Sequence, residues 1–270
     1  MGKALNDNKL EVALIQMHIE AGNTEANFTR LKAKLHEAVA GGVKPDVIMF
    51  PEMWNTGYAL EQINELADEE GRATHELLSA FSREHSVHLI GGSIAEKRSD
   101  GVYNTAYVYN REGDKTADYS KIHLFRLMDE EKHLQAGRKL GELNIEGTPA
   151  GLMICYDIRF PELTRKLALD GAKILFVPAE WPHPRLNHWR TLLTARAIEN
   201  QMYVIACNRV GTSGSTNFFG NSLIIDPWGE IVAEAGEEET ILRAQIDVSL
   251  VDEVRTRIPV FEDRRPSFYL

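Results

Sequence analysis

The sequence has little of what builds disulfide frameworks, membrane spans or nucleic-acid surfaces. It contains only two cysteines, Cys155 and Cys207, in 270 residues, which is typical of a reducing compartment. No apolar run approaches the roughly 20 residues of a membrane-spanning helix, and residues 1–12 lack the apolar core of a signal peptide. Lysine and arginine number 30 against 40 aspartates and glutamates, so the net charge is −10 and no basic excess exists to bind phosphates. We therefore expect a cytoplasmic protein without nucleic-acid or membrane partners.

Several common functional motifs are also missing. No phosphate-binding loop is present, no GxGxxG follows a strand, and no Ser–His–Asp set is recognisable. His183 and His188 are five residues apart with Pro184 between them, which is not the spacing of two ligands on one helical face. We expect no metal site.

No low-complexity linker or shift in composition divides the chain. We therefore predict a single domain over residues 1–270. The polar stretch 1–8 is expected to be disordered, and the polar, irregular stretch 251–270 is expected to be an arm that packs on another subunit.

Strand-like and helix-like segments alternate along the whole chain. Apolar residues behind a capping Asn23 have helical spacing as far as Gly41, and turn signals at Gly113 and at 226–229 predict hairpins. Such alternation predicts a layered α/β fold. The predicted strands are 10–16, 47–50, 88–94, 105–110, 115–120, 151–156, 173–178, 202–208 and a closing antiparallel meander of 221–226, 231–235 and 242–247, and the later helices are 73–85, 161–170 and 185–200.

Cys155 lies near the end of a predicted apolar strand and shortly before a helix that begins near Pro161. Ligands of open α/β sheets bind at the carboxyl ends of strands, and free N–H groups at a helix start favour the thiolate. Its position alone fits either a nucleophile or a small buried hydrophobic residue. Cys207 also ends an apolar strand, but no helix start follows it, so we interpret it as an inert core thiol.

Two charged residues stand in unusually apolar surroundings. Glu52 follows the string VIMFP, where partial burial is expected to raise its pKa and suit it to general-base work; the alternative is a capping role. Lys121 lies in YSKIHLF, where it would place a fixed cation beside developing negative charge. Alternatively, its stem lies along apolar surface with the amine in water.

In this order, FPEMW around Glu52, YSKIHLF around Lys121 and GLMICYDIRFPE around Cys155 resemble the nitrilase (carbon–nitrogen hydrolase) superfamily. The resemblance extends from the strand at 10–16 to the meander ending near 247. It implies a four-layer α-β-β-α sandwich, a homodimer, and no metal or organic cofactor. The segments KIHLFRLMDEEKHLQAG and AEWPHPRLNHWRTLLTARAIENQ are similar to the omega-amidase branch, which acts on 2-oxoglutaramate and related amides.

The resemblance implies a mechanism of amide hydrolysis that the residue chemistry supports. Glu52 takes the proton of Cys155, and the thiolate attacks the amide carbon of a small-molecule substrate. Lys121 and the backbone N–H of Tyr156 hold the oxyanion. Glu52 then protonates the departing ammonia and activates the water that hydrolyses the thioester.

The family also carries a second glutamate shortly after the lysine. Glu130 matches it, with Glu131 one residue away as the alternative. Its expected role is to orient Lys121 or the substrate, and a lysine beside two carboxylates is expected to stay protonated.

The omega-amidase resemblance implies a short 2-oxo acid with a terminal amide, whose carboxylate lies far from the scissile bond. The pocket then needs a cation besides Lys121. The candidates are Arg126, Arg159 and Arg185, since the planar fork of arginine can bind a carboxylate through two parallel hydrogen bonds. We prefer Arg185, because it lies in the WPHPR loop and loops often carry specificity residues.

The remaining pocket residues are interpreted in the same way. Arg159 has Asp157 and Glu162 nearby in sequence, and we expect it to form a structural salt bridge rather than a substrate contact. Tyr58 and Trp181 are expected to form apolar walls.

Other functions stay open at this point. An N-carbamoyl amine amidohydrolase would release carbon dioxide as well as ammonia, and a true nitrilase would act on nitriles. A binding protein that kept the fold without activity is the alternative outside enzymes, although the complete Glu–Lys–Cys set argues against it.

Overall fold

The computed structural model describes residues 8–269. Of the stretch 1–8, all but Asn8 lies outside the described residues, as does Leu270. Between residues 8 and 269, no helix has the length and apolarity to cross a membrane.

The strands of the described chain are β1 (Lys9–Gln16), β2 (Val47–Met49), β3 (Asp68–Glu69), β4 (His88–Ile90), β5 (Ile94–Arg98), β6 (Gly101–Tyr109), β7 (Lys115–Ser120), β8 (Glu142–Ile145), β9 (Thr148–Leu152), β10 (Ile174–Ala179), β11 (Tyr203–Asn208), β12 (Val210–Ser213), β13 (Thr216–Phe219), β14 (Leu223–Ile225), β15 (Ile231–Glu234) and β16 (Thr240–Asp247). The α-helices are α1 (Thr24–Ala40), α2 (Ile63–Leu66), α3 (Arg72–His85), α4 (Glu130–His133), α5 (Pro161–Leu169), α6 (Leu186–Asn200) and α7 (Ser249–Arg257), and short 3₁₀ turns cover Leu60–Gln62, Arg126–Met128, Cys155–Arg159 and Pro266–Phe268.

The strands form two large sheets and one small ribbon. The first sheet has the order β16-β1-β2-β4-β6-β5-β3, with β7 also paired to β6. The second sheet has the order β15-β14-β11-β10-β9-β8, and β12 pairs with β13 separately. Parallel pairing at β1–β2–β4 and at β9–β10–β11 brings the carboxyl ends of these strands to common edges.

Alternation along the strands explains the layers, because successive side chains of a strand point to opposite faces. Val12 and Leu14 of β1 belong to the apolar cluster shared with the second sheet. Ala13 and Ile15 belong to the cluster that contains Leu31 of α1. Helices α1 and α3 contact the first sheet, and α5 and α6 contact the second. The fold is the four-layer α-β-β-α sandwich that the sequence predicted.

Local signals placed many elements correctly. Strand β7 has the bounds that the sequence predicted, and Asn23 caps α1 by accepting a hydrogen bond from the Ala26 N–H at 3.1 Å. The predicted strand 88–94 is instead two strands, β4 and β5, separated at Gly91 and Gly92. Gly92 has a φ of +55°, and a Cβ there would stand 2.1 Å from the Pro51 carbonyl oxygen, so this close approach requires glycine.

Two predictions about the closing part of the chain were wrong. The meander stops after β15, because β16 pairs antiparallel with β1 of the other sheet, from Lys9 opposite Asp247 to Gln16 opposite Thr240. The stretch after 250 is not irregular at its start, because α7 runs to Arg257. The charged residues of α7 obscure its two inward side chains, Val251 and Val254, which are buried.

Candidate active site

Polar residues follow several of the buried strands, and the fold brings these residues together. Glu52 comes shortly after β2 and Lys121 directly after β7, both in the first sheet, whereas Cys155 follows β9 of the second sheet. All three side chains are at least 90% buried. The three residues selected from the sequence therefore converge where strand ends of both sheets meet.

The sequence placed Cys155 near the end of a predicted strand, but in the structure Cys155 lies outside the strand. Strand β9 stops at Leu152, and Cys155 begins a 3₁₀ turn that runs to Arg159. Its φ is +46°, a left-handed conformation that is uncommon for a residue with a side chain and marks a locally constrained backbone. Helix α5 begins just after the turn, with Pro161 in its first turn.

Asp157 holds this turn against the segment that carries the lysine. Its Oδ2 accepts hydrogen bonds from the Ile154 N–H at 3.0 Å and the Tyr119 hydroxyl at 2.7 Å. Its Oδ1 accepts the His123 N–H at 3.0 Å and lies 2.7 Å from His123 Nδ1. Asp157 thus fixes the Cys155 turn relative to Lys121. The sequence reasoning missed this role, because Tyr119 and His123 are more than 30 residues away from Asp157.

Lys121 lies between two carboxylates. Its Nζ donates to Glu52 Oε1 at 2.9 Å and to Glu130 Oε1 at 2.7 Å, and all three side chains are fully buried. The amine therefore does not reach water, which rules out the alternative in which only its stem is covered. Glu131, the alternative to Glu130, is exposed.

Tyr58 is more than the apolar wall predicted from the sequence. Its hydroxyl lies 2.8 Å from Glu52 Oε1 and 2.7 Å from Glu130 Oε1. Because a phenol carries one proton, Tyr58 donates to one of the two carboxylates at a time. Glu52 is also fixed by Asn104, whose Nδ2 donates to Oε1 at 2.8 Å.

Charge neighbours decide the protonation of the cluster. Burial disfavours the ammonium of Lys121, but the charges of Glu130 and Glu52 outweigh it and raise the lysine pKa well above its ordinary value. The lysine is therefore protonated, as expected. Burial alone would raise the pKa of Glu52, but the charge of Lys121 and the hydrogen bond that Lys121 donates lower this pKa below its ordinary value. The expectation of a raised pKa for Glu52 was wrong, because the lysine is so close.

The thiol of Cys155 does not have the lowered pKa that a helix start suggested. Burial raises the pKa of Cys155 well above its ordinary value, and the adjacent charge of Glu52 adds to the rise. Interaction between the two groups lowers the pKa of Glu52 and raises that of Cys155. The resting site thus pairs a neutral thiol with an ionised base. Cys207 is fully buried, and its Sγ donates to the Ile15 carbonyl at 3.4 Å, which agrees with an inert core thiol.

A narrow pocket of about 10 Å³ opens onto Cys155, which is room for about one water molecule. Arg126, which is exposed, does not line it. The lining residues are Tyr58, Phe125, Met128, Cys155, Tyr156, Arg159, Glu180, Trp181, Pro182 and Arg185.

The two arginines of the pocket lie over aromatic rings. The guanidinium carbon of Arg159 is 4.7 Å from the Trp181 ring centroid, and that of Arg185 is 5.6 Å from the Phe125 centroid. Within residues 8–269, Arg159 forms no ion pair with Asp157 or Glu162, contrary to expectation, since Asp157 is occupied with the Cys155 turn. Its NH2 lies 3.4 Å from Nδ1 of His188.

Two further charged residues of the site were missed from the sequence. Glu180 directly follows β10 and Arg209 directly follows β11, and both are fully buried. Their signal was available, because each stands directly after an apolar strand, as Glu52 stands after the string VIMFP. In the described part of the chain, no cluster of three or more His, Cys, Asp or Glu side chains could hold a metal ion.

Comparison with known proteins agrees with this arrangement. The family model described as carbon-nitrogen hydrolase matches residues 11–256. The 2-oxoglutaramate amidase of Bacillus subtilis is 45% identical over 97% of this chain and 100% of its own length. The omega-amidase NIT2 of Homo sapiens is 34% identical over 96% of each chain. A carbon-nitrogen hydrolase structure from Helicobacter pylori matches with a TM-score of 0.91 at 27% identity, covering 97% of each chain.

The four-layer sandwich is shared with solved structures of the nitrilase superfamily. Saccharomyces cerevisiae Nit3, described as a member of branch 10 of that superfamily, matches with a TM-score of 0.87 at 30% identity, over 96% of this chain and 97% of its own. The chain belongs to the carbon–nitrogen hydrolase family of the nitrilase superfamily, and it is a hydrolytic amidase.

Proposed function

We propose that this amidase hydrolyses the terminal amide of a short 2-oxo acid, 2-oxoglutaramate or a close relative, to the carboxylate and ammonia through a thioester on Cys155. One observation carries the choice of substrate. The small pocket at Cys155 is lined by Arg159 and Arg185, and neither forms an ion pair with a carboxylate within residues 8–269. The similarity to 2-oxoglutaramate amidase of Bacillus subtilis supports the same choice.

The first step begins from the neutral thiol and the ionised base. Glu52 takes the thiol proton as Cys155 Sγ attacks the amide carbon, so the thiolate forms only when substrate is present. The tetrahedral oxyanion accepts hydrogen bonds from Lys121 Nζ and the backbone N–H of Tyr156. Fixed donors of this kind are worth far more in a buried site than in water.

The second step returns the base to its starting state. Glu52 gives its proton to the departing nitrogen, the C–N bond breaks, and ammonia leaves a thioester on Cys155. Glu52 then takes a proton from the attacking water and delivers it to Cys155 Sγ as the C–S bond breaks, and the acid product ionises to the carboxylate in solvent. One group acts in both directions, which general acid–base catalysis requires here.

Glu130 and Tyr58 position the reacting groups. Glu130 fixes Lys121 through the 2.7 Å contact and accepts the Phe125 N–H at 2.9 Å. Glu130 thereby connects the lysine to the pocket wall that faces Arg185. Tyr58 bridges Glu130 and Glu52 and sets the distance between the two carboxylates.

Arg185 is the proposed partner of the substrate carboxylate. Arg159 is stacked on Trp181, which with Tyr156 forms an aromatic side of the pocket. The guanidinium of Arg185 lies farther from the Phe125 ring than that of Arg159 lies from Trp181. The backbone carbonyl of Arg185 accepts a hydrogen bond from the Trp181 Nε1–H at 3.0 Å. The loop is therefore anchored while the side chain remains available to a ligand.

A substrate panel tests the proposed function. Ammonia release is measured for 2-oxoglutaramate, for an uncharged amide of similar length and for an N-carbamoyl amine. Arg185→Gln should raise KM for 2-oxoglutaramate about tenfold to a hundredfold, the scale of a hydrogen bond to a charged group, with little change for the uncharged amide. The matched control is Arg126→Gln, which removes a nearby arginine outside the pocket.

Two results would contradict the proposal. If the unmodified enzyme prefers the uncharged amide, then a 2-oxo acid is not its substrate. Faster ammonia release from the N-carbamoyl amine, accompanied by carbon dioxide, identifies a carbamoyl amidohydrolase instead.

A further inference from the structure

A buried carboxyl group that the mechanism above does not use lines the pocket beside the nucleophile. Glu180 is fully buried, and its Oε2 accepts a hydrogen bond from Arg209 NH1 at 3.1 Å. Its other oxygen, Oε1, is buried and has no partner in the described part of the chain. A buried acceptor without a donor costs free energy, so such groups call for an explanation.

Arg209 holds one end of this carboxyl group rigidly. The guanidinium donates to the Ile19 carbonyl and lies 4.3 Å from the Phe218 ring centroid. It is fully buried, so it does not reach another ion in solvent. The pair therefore fixes Oε2 and leaves Oε1 as the oxygen able to bind a ligand.

The position of Glu180 relative to Glu52 indicates which part of a substrate it meets. The two oxygens of Glu52 face different partners: Oε1 accepts from Lys121 at 2.9 Å, and Oε2 accepts from the Glu180 backbone N–H at 2.8 Å. In the proposed reaction the oxyanion lies on the lysine side. The nitrogen, which must take its proton from Glu52, then lies on the side of Glu180.

We propose that Glu180 is a specificity residue for the leaving group, and that its Oε1 accepts a hydrogen bond from the N–H of the substrate carboxamide. The inference rests on the proposed mechanism but on no particular acyl group. As the nitrogen is protonated and leaves, its N–H groups become stronger donors. The contact therefore strengthens towards the transition state, which is the condition for it to accelerate the reaction.

The charges of the cluster favour the same ligand. Lys121 and Arg209 supply two positive charges, and Glu52, Glu130 and Glu180 supply three negative charges when ionised. The excess negative charge complements a developing ammonium group. Burial raises the pKa of Glu180 to about 7, although Arg209 opposes the rise, and the charge of Glu52 adds to it. The ionised fraction of this acceptor therefore increases as the pH rises through about 7.

Glu180→Gln reverses the hydrogen-bonding character of the free position. Arginine has only donors, so the Gln carbonyl oxygen will face Arg209 and the amide NH2 will face the pocket. A donor then meets the substrate N–H. An ester has no N–H in its leaving group and loses no hydrogen bond.

The test compares a primary amide with the methyl ester of the same acyl group. The acyl group is that of the amide hydrolysed fastest in the substrate panel. Glu180→Gln should lower kcat/KM for the amide about tenfold to a hundredfold and change that for the ester less than about threefold. Glu253→Gln, an exposed change in α7, is the matched control. Circular dichroism and an unfolding curve establish that the variants are folded.

Equal losses for amide and ester overturn the proposal, because Glu180 would then act on the shared acyl site or on the fold. Unchanged kinetics with both substrates overturn it as well. If Glu180→Gln fails to fold, Glu180→Asp, which keeps the charge and withdraws the oxygen, provides the same amide-to-ester comparison. If the unmodified enzyme does not hydrolyse 2-oxoglutaramate, the proposed acyl group is wrong. The amide-to-ester ratio of kcat/KM can still be measured on another short amide, so the two proposals fail separately.

Discussion

Lys121→Met tests the charge arrangement most sharply. The change keeps most of the stem and removes an ammonium that contacts Glu52 at 2.9 Å and Glu130 at 2.7 Å, with none of the three side chains exposed. Removing one partner of a buried ion pair typically costs about 3–5 kcal/mol. We expect a loss of this size in the free energy of unfolding near neutral pH, together with a fall in kcat of at least ~100-fold.

The stability loss should depend on pH, with a sign that follows from the same contacts. Without the ammonium, burial raises the pKa of Glu52 above that of the unfolded chain, and it raises the pKa of Glu130, which is already elevated by burial, still further. The folded variant then binds protons more tightly than the unfolded chain. Its stability is retained below the ordinary carboxyl pKa of about 4.3 and is lost as the pH rises through the raised folded values. The deficit of Lys121→Met is therefore larger at pH 8 than at pH 5.

Urea unfolding at pH 5 and pH 8 measures this deficit. Glu130→Gln in the Lys121→Met background removes one of the two unpaired charges, so it should recover at least about 1 kcal/mol at pH 8. The matched control is Lys139→Met, which breaks an exposed pair with Asp118 and should cost less than about 1 kcal/mol. The reasoning is refuted if Lys121→Met loses the same stability at both pH values. It is also refuted if the stability losses of Lys121→Met and Glu130→Gln are additive.

Three further predictions follow from the site and the surface. Glu52→Gln keeps the shape and removes the proton carrier, so kcat should fall at least ~100-fold; a near-normal kcat excludes it as the base. The free energy of unfolding of Glu180→Gln, taken relative to that of the unmodified protein, should increase by up to about 3 kcal/mol as the pH rises from 5 to 9. The reason is that a carboxyl group with a raised pKa loses stability for the unmodified protein as the pH rises through about 7. A constant difference in urea titrations contradicts the raised pKa. The C-terminal stretch exposes Ile258, Phe268 and Tyr269, so light scattering should give about twice the 30.4 kDa chain mass; a monomer at micromolar concentration refutes the homodimer.

Strand and helix positions were predictable where local signals decide them. The apolar run of β1, the Asn23 cap of α1 and the turn at Gly113 each depend on neighbours in sequence. The partner of β16 was not predictable in this way, because pairing with β1 joins residues more than 200 positions apart. Its apolar pattern fits either sheet, and only the closed sandwich decides between them.

The candidate site shows the same division. Glu52, Lys121 and Cys155 were found because charged or reactive residues ended apolar segments and the family resemblance joined them. The pKa shifts of Glu52 and Cys155 were predicted in the wrong direction, since each depends on a neighbour from another element. The hydrogen bonds of Tyr58 to two carboxylates are likewise set by distances that no local pattern contains.

The central claim is that Cys155 carries the acyl group during amide hydrolysis, and trapping that intermediate tests it most directly. The enzyme is quenched in acid during turnover of 2-oxoglutaramate, or of a slower amide, and its peptides are weighed by mass spectrometry. The account predicts that the Cys155 peptide gains the mass of the substrate less ammonia, that Cys155→Ala yields neither adduct nor ammonia, and that Cys207→Ala retains both. An adduct on Cys207, or ammonia release by Cys155→Ala at close to the unmodified rate, would contradict it.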